Sequence, residues 1–241
     1  MAAQRLDKLL TDLGIASRKD GKALIRSGRV TVDGAVCRTP ESKVDPAVQR
    51  VLLDGERLGA PGPRVFLMDK PCGVVTATED RDQKTVLDLL PPALRRLGLF
   101  PVGRLDKDTS GLLLLTNDGD FAHRVISPKS CVEKRYYAHI EGEAEEADVA
   151  AFAAGLRLRD GTVCQPAVLE PLGPGECLVT VTEGKYHQVR RMLAARGKPV
   201  VALRRLAIGA LSLGNELGPG GLRELDDEDL CKLFRTERGE Y

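Results

Sequence analysis

Leucines recur at positions 6, 9, 10 and 13, the spacing of one helical face, and Gly14 ends the run. Ser17 is then placed to cap a second helix, RKDGKALIRSG, which Gly28 closes. Beyond it the period shortens to two: Val30, Val32 and, past Asp33-Gly34, Val36 predict a β-hairpin. Gly59-Ala60-Pro61-Gly62-Pro63 suits neither helix nor strand and predicts a linker over 59–63. Residues 1–58 therefore read as one domain and 64–241 as a second.

The second part reads mainly as strands. RVFLMDK predicts a strand that turns at Lys70-Pro71-Cys72-Gly73 and resumes over 74–78, and 85–90 predicts a short helix stopped by Pro91-Pro92. Leu112 to Leu115, four leucines between polar turns, predict a strand buried on both faces. EKRYYAHIEGE, GTVCQPAVLEPL, GECLVTVTEG and PVVALRRLAIGALSL add strand candidates, with helices expected over 146–156, over 185–196 and in LDDEDLCKLF. No steady alternation of strand and helix runs through this part. The expected class is α+β: a small α/β head plus a mixed, mostly antiparallel sheet.

Charge changes the picture only when it is mapped. A net charge of +1 hides two basic zones. Residues 1–38 hold eight basic and four acidic residues, and residues 184–215 hold seven basic residues and no acidic one. Two separated basic zones are the footprint expected of polyanion binding. Among 241 residues no apolar run is long enough for a membrane span, and MAAQRLDKLLTDLG carries charge where a signal peptide would be apolar, so no membrane and a cytoplasmic location are expected. Six cysteines without a CxxC pair and three histidines without short metal spacing point to reduced thiols and no metal.

The candidate chemistry lies in GRLDKDTSGLLLLTNDG, where a polar loop holding Asp106 and Asp108 is pinned to the end of the leucine strand. A carboxylate fixed on a rigid strand is a candidate reactive group. Two other readings compete with it. Both aspartates could cap a turn. Alternatively Asp106, Asp108, Ser110 and Gly111 match the first half of a calcium loop, although Asn117 at the twelfth position cannot supply its bidentate carboxylate.

RLDKLL, Ser17-Arg18 and LIRSGRVTVDG, over residues 4–58, resemble the small RNA-binding domain named for ribosomal protein S4. That resemblance implies an RNA-facing surface of Arg5, Ser17, Arg18, Lys19, Lys22, Arg26 and Arg29, contacting phosphates more than bases. KPCGVVT at 70–76, GRLDKDTSGLLLLTNDG at 103–119, EKRYY at 133–137 and EGKYHQVRRM at 183–192 together resemble the pseudouridine synthases, in the RsuA-like branch that acts on ribosomal RNA. The resemblance implies that Asp106 is the catalytic nucleophile and that Tyr136 packs on the target base. Arg190 would pair with Asp106 and keep it ionised. Tyr137, one residue on from Tyr136, belongs on the opposite face of the strand.

Arg104, Lys185, His187 and Arg191 would contact RNA; Asp108 would be a turn residue. No cofactor is expected, and the implied partner is ribosomal RNA or an assembling ribosomal subunit, bound by a monomer. EGKYHQVRRM resembles the 16S rRNA enzymes of the branch, with 23S rRNA as the alternative target. An RNA-binding assembly factor that had lost catalysis would have Asp106, Tyr136 or Arg190 replaced, and none is.

Overall fold

The computed structural model describes residues 3–59, 62–236 and 239–240. Ala60 and Pro61, in the expected linker, lie outside the described residues. The chain forms two compact units, one running to Pro63 and including Leu90–Leu99, the other made of Arg64–Leu89 and the chain from Phe100 onward.

In the first unit the leucine period produces the helix Leu6–Asp12, and a second helix follows over Arg18–Arg26. Ser17 caps the second helix: its hydroxyl accepts from the Asp20 amide at 3.1 Å, satisfying one of the donors that a helix start leaves free. Leu6, Leu9, Leu10 and Ile25 pack with Val30, Val44 and Val51 into one core. The hairpin forms around Asp33-Gly34 and belongs to a four-stranded sheet ordered Ala35–Val36, Val30–Val32, Val51–Leu53, Glu56–Arg57.

The second unit is built on a nine-stranded sheet. Its main order is Val168–Gly173, Glu176–Val181, Lys134–Ile140, Val200–Ile208, Thr109–Thr116, Val65–Lys70 and Leu222–Glu224. Every neighbouring pair along that order is antiparallel except Val200–Ile208 beside Thr109–Thr116, which is parallel. Leu112, Leu113, Leu114 and Leu115 are all fully buried, so the strand is covered on both faces. The parallel pair requires glycine at one end of its register. Gly111 has φ of +103°, and a Cβ there would lie 2.2 Å from the Arg205 carbonyl oxygen.

Three expectations change. The strand expected over 74–78 reduces to a single bridge, Val75 with Thr85, because the partner segment turns at once into the 3₁₀ turn Val86–Leu89. The helix expected over 85–90 is one 3₁₀ turn, Val86–Leu89, with Asp88 accepting from the Thr85 amide at 2.8 Å. The strand expected across GTVCQPAVLEPL starts only at Val168. The remaining α-helices form at Pro92–Arg95, Gly119–Ile126, Glu146–Ala154, Gln188–Ala195 and Asp227–Lys232.

Candidate active site

Asp106 sits on the loop that feeds the leucine strand, and neighbouring segments hold that loop by its backbone. Lys70 is fully buried at the end of Val65–Lys70 and donates to the carbonyl oxygens of Pro71 at 3.1 Å, Asp106 at 3.0 Å and Thr109 at 2.9 Å. Burial pushes its pKa down from the usual lysine value, opposed in part by the carboxylates of Asp106 and Asp108. The Thr76 hydroxyl donates to the Leu105 carbonyl at 2.7 Å, and the Gly73 amide donates to the Lys107 carbonyl at 2.8 Å. KPCGVVT is thus a cradle for the aspartate loop.

The loop opens into a cleft of about 730 Å³ whose lining includes Arg104, Asp106, Lys134, Tyr136, Tyr186, His187 and Arg205. The Asp106 carboxylate is 29% exposed, and His187 Nε2 lies 3.3 Å from its Oδ1. His187 precedes the helix Gln188–Ala195 and holds φ of 47°, a left-handed conformation that a non-glycine residue adopts only under constraint. Tyr136 lines the cleft, whereas Tyr137 turns the other way and donates from its hydroxyl to Glu176 Oε1 at 2.6 Å. The alternation expected of the two tyrosines holds.

The pair expected between Arg190 and Asp106 does not form. Arg190 Nη2 lies 3.1 Å from Asp108 Oδ2 and donates to the Asp108 carbonyl at 3.2 Å, and Nη1 donates to the Val200 carbonyl at 3.3 Å. Arg190 therefore fastens the far side of the aspartate loop, and Asp108 is more than a turn residue. The calcium reading also fails on geometry: Asp106 turns to His187 and Asp108 to Arg190, while Asn117 lies at the other end of the strand, accepting from the Arg64 amide at 2.8 Å. Among the described residues no group of three or more His, Cys, Asp or Glu is placed to hold a metal ion.

Comparison with known proteins shows the family. The family model for RNA pseudouridylate synthase matches residues 64–195. The chain belongs to the RNA pseudouridylate synthase family. Residues 4–49 match the S4 domain. An uncharacterized RNA pseudouridine synthase of Bacillus subtilis is 44% identical over 233 residues, covering 95% of this chain and 98% of that protein. Ribosomal small subunit pseudouridine synthase A is 42% identical over 231 residues in Pseudomonas aeruginosa and 41% over 234 in Escherichia coli, covering 95% of this chain and 100% and 99% of those proteins. A crystal structure of a pseudouridylate synthase superposes with a TM-score of 0.68 at 34% identity, covering 95% of this chain and 99% of that one.

Two cations of the synthase cleft escaped the sequence reading. Arg205, only 4% exposed, lies directly across from Tyr136 in the sheet. It donates from Nε to the Leu112 carbonyl at 2.7 Å and from Nη1 to the Tyr136 hydroxyl at 3.4 Å, with its guanidinium 5.9 Å from the ring centre. Lys134 is buried on the same strand as Tyr136; burial, reinforced by the charge of Arg205, brings its pKa from 10.5 down to about 8. Neither stands out in the sequence: Lys134 adjoins Arg135 at the start of its strand and Arg205 adjoins Arg204, so each reads as one of a pair of surface charges.

The other candidates divide. Arg104 stands exposed on the cleft with no partner among the described residues. Lys185 is occupied by Glu183 and by the Val163 carbonyl at 2.9 Å, and Arg191 by Asp160 at 2.5 Å. In the first unit Arg5 is held by Asp7 at 2.7 Å and by Glu41 at 3.2 Å; the Asp7 hydrogen bond raises the Arg5 pKa. Arg29 is paired with Asp54, and Ser17 is engaged as the helix cap. Arg18, Lys22 and Arg26 fall on one helical face, with Lys19 exposed beside them.

Proposed function

We propose that this synthase converts a uridine of small-subunit (16S) ribosomal RNA to pseudouridine, with Asp106 as nucleophile. The observation that carries the proposal is the Asp106 carboxylate, held by its backbone at a cleft that Tyr136 also lines. The reaction breaks the bond between ribose C1′ and uracil N1, forms one between C1′ and C5, gives the C5 proton to solvent and takes one from solvent onto N1. It is redox-neutral and consumes no co-substrate. A fixed carboxylate divides that exchange into two easier steps, because it can stabilise or bond to the sugar while the base turns. Tyr136 offers a ring face to a base taken from its stack. Arg190 acts at one remove, by fixing Asp108 and with it the loop.

The name that the Pseudomonas aeruginosa and Escherichia coli relatives carry supports small-subunit RNA as the target. We further assign phosphate contacts to Arg18, Lys19, Lys22 and Arg26 in the head, residues 1–58, with residues 64–241 as the catalytic domain. Among the described residues no helix is long and apolar enough to cross a membrane.

The test uses ribosomal RNA tritiated at uracil C5. The wild-type protein should release tritium and Asp106→Asn should release none; equal release from both would remove Asp106 from the mechanism. Mapping pseudouridine in 16S and 23S rRNA from cells with and without the protein identifies the target.

A further inference from the structure

A soluble protein gains by covering a tyrosine ring, since burying such a side chain removes apolar area from water. Tyr186 does the opposite: it lines the mouth of the cleft and is 73% exposed. Its exposure does not come from a loosely held loop. The buried Gln188 side chain accepts from the Lys185 amide at 2.9 Å and donates to Glu183 at 2.7 Å, and Arg191 donates to the Tyr186 carbonyl at 3.2 Å. The backbone is fixed on both sides of the ring, which is held out into solvent.

The ring is also oriented. It stacks on the imidazole of His187 with centroids 3.9 Å apart and planes 17° from parallel, and His187 in turn reaches Asp106. One face of Tyr186 is therefore covered by the residue that touches the carboxylate, and the other is open. The ring spacing is close to the ~3.4 Å between successive bases in a nucleic-acid strand. Arg104, exposed on the same cleft, offers a cation for the backbone of a strand lying there.

We propose that Tyr186 is a stacking platform for an unpaired nucleobase adjacent to the uridine that enters the cleft. The proposal rests on the RNA-modifying function proposed above and extends it from the target base to its neighbour. Aromatic faces accept any base because each presents a π surface, so the platform selects for an unstacked strand rather than for a sequence. It makes the ligand of this part of the site a single-stranded segment at least two nucleotides long.

Two measurements separate this proposal from the function it rests on. The first is binding of fluorescein-labelled oligouridine, set against an abasic phosphodiester oligomer of the same length and charge, which requires no turnover. Tyr186→Ala should weaken oligouridine binding about tenfold or more and leave the abasic oligomer unchanged, while Tyr186→Phe should behave as wild type. Equal weakening of both oligomers, no weakening of either, or loss in Tyr186→Phe as large as in Tyr186→Ala would overturn the platform.

The second is tritium release from C5-labelled ribosomal RNA. Tyr186→Ala should raise KM by a similar factor with kcat nearly kept; a fall in kcat at constant KM would make Tyr186 a prop for His187 instead. Wild-type protein that released no tritium would defeat the enzyme reading, and the binding arm would still decide the platform.

Discussion

The helix Arg18–Arg26 carries Arg18, Lys22 and Arg26 on one face, none of them in a salt bridge among the described residues, although Lys22 acts on Asp7 through space. In residues 184–215 the basic residues have gone elsewhere. Lys185 meets Glu183, Arg190 meets Asp108, Arg191 meets Asp160, Arg196 meets Asp148, Lys198 meets Glu145, and Arg204 meets Asp69. Arg205 is buried against Leu112 and Tyr136. The second stretch itself contains no acid. Glu183 borders the stretch, and folding brings the other acids from distant parts of the chain. A charge window along a sequence measures local composition, whereas a binding surface depends on which charges remain unpaired in space.

The difference can be broken most forcefully inside the sheet. The Asp69 side chain is 2% exposed and pairs with Arg204 at 2.9 Å. Arg204→Met should strand that carboxylate and cost about 3–5 kcal/mol in urea unfolding, and adding Asp69→Asn should recover much of the loss. A change below about 1 kcal/mol would mean that the pair behaves like a surface pair.

Lys134 gives a smaller effect with a definite pH signature. Its folded pKa, about 8, lies below the ordinary 10.5, so between these values the unfolded chain binds more protons and stability rises with pH. Lys134→Met removes the buried charge. The variant should therefore be more stable than wild type by about 1–3 kcal/mol at pH 7, and its advantage should shrink by pH 9.5. Thermal midpoints at the two pH values check this, and a constant difference would contradict it.

The smallest stability effect belongs to the head. Replacing Arg18, Lys22 and Arg26 together with Gln should alter stability by less than about 0.5 kcal/mol. The same change should reduce the slope of log binding constant against log salt by about 2–3 on ribosomal RNA. Arg29→Gln, which removes a residue already paired with Asp54, should change the slope less. An unchanged slope in the triple variant would move the RNA contact off this helix.

Much of the architecture was legible because it is local. The leucine period of the first helix, the cap at Ser17, the Asp33-Gly34 turn and the doubly buried leucine strand each follow from a few adjacent residues. The separation of Tyr136 from Tyr137 follows from pleating alone. Less legible were features set by partners far along the chain. The stretch 74–78 has strand composition, but the segment it meets turns into a 3₁₀ helix after one bridge. Two aspartates two residues apart in a loop give no indication of which one an arginine more than eighty residues later will meet, and Arg190 meets Asp108. Arg205 reads as surface charge until the strand that contains it is inserted at the centre of the sheet.

That insertion bears on how the protein folds. Arg205 bonds to Leu112 across 93 residues of sequence, and the one parallel pairing in the main order of the large sheet joins the same two strands. Antiparallel neighbours such as Val168–Gly173 and Glu176–Val181 close a loop of a few residues, whereas this pair must bring together ends separated by a third of the chain. The cleft is therefore built on contacts between distant parts of the chain. Until Leu203, Arg204 and Arg205 reach their register beside Thr109, Ser110 and Gly111, the Asp106 loop has its strand but lacks one wall.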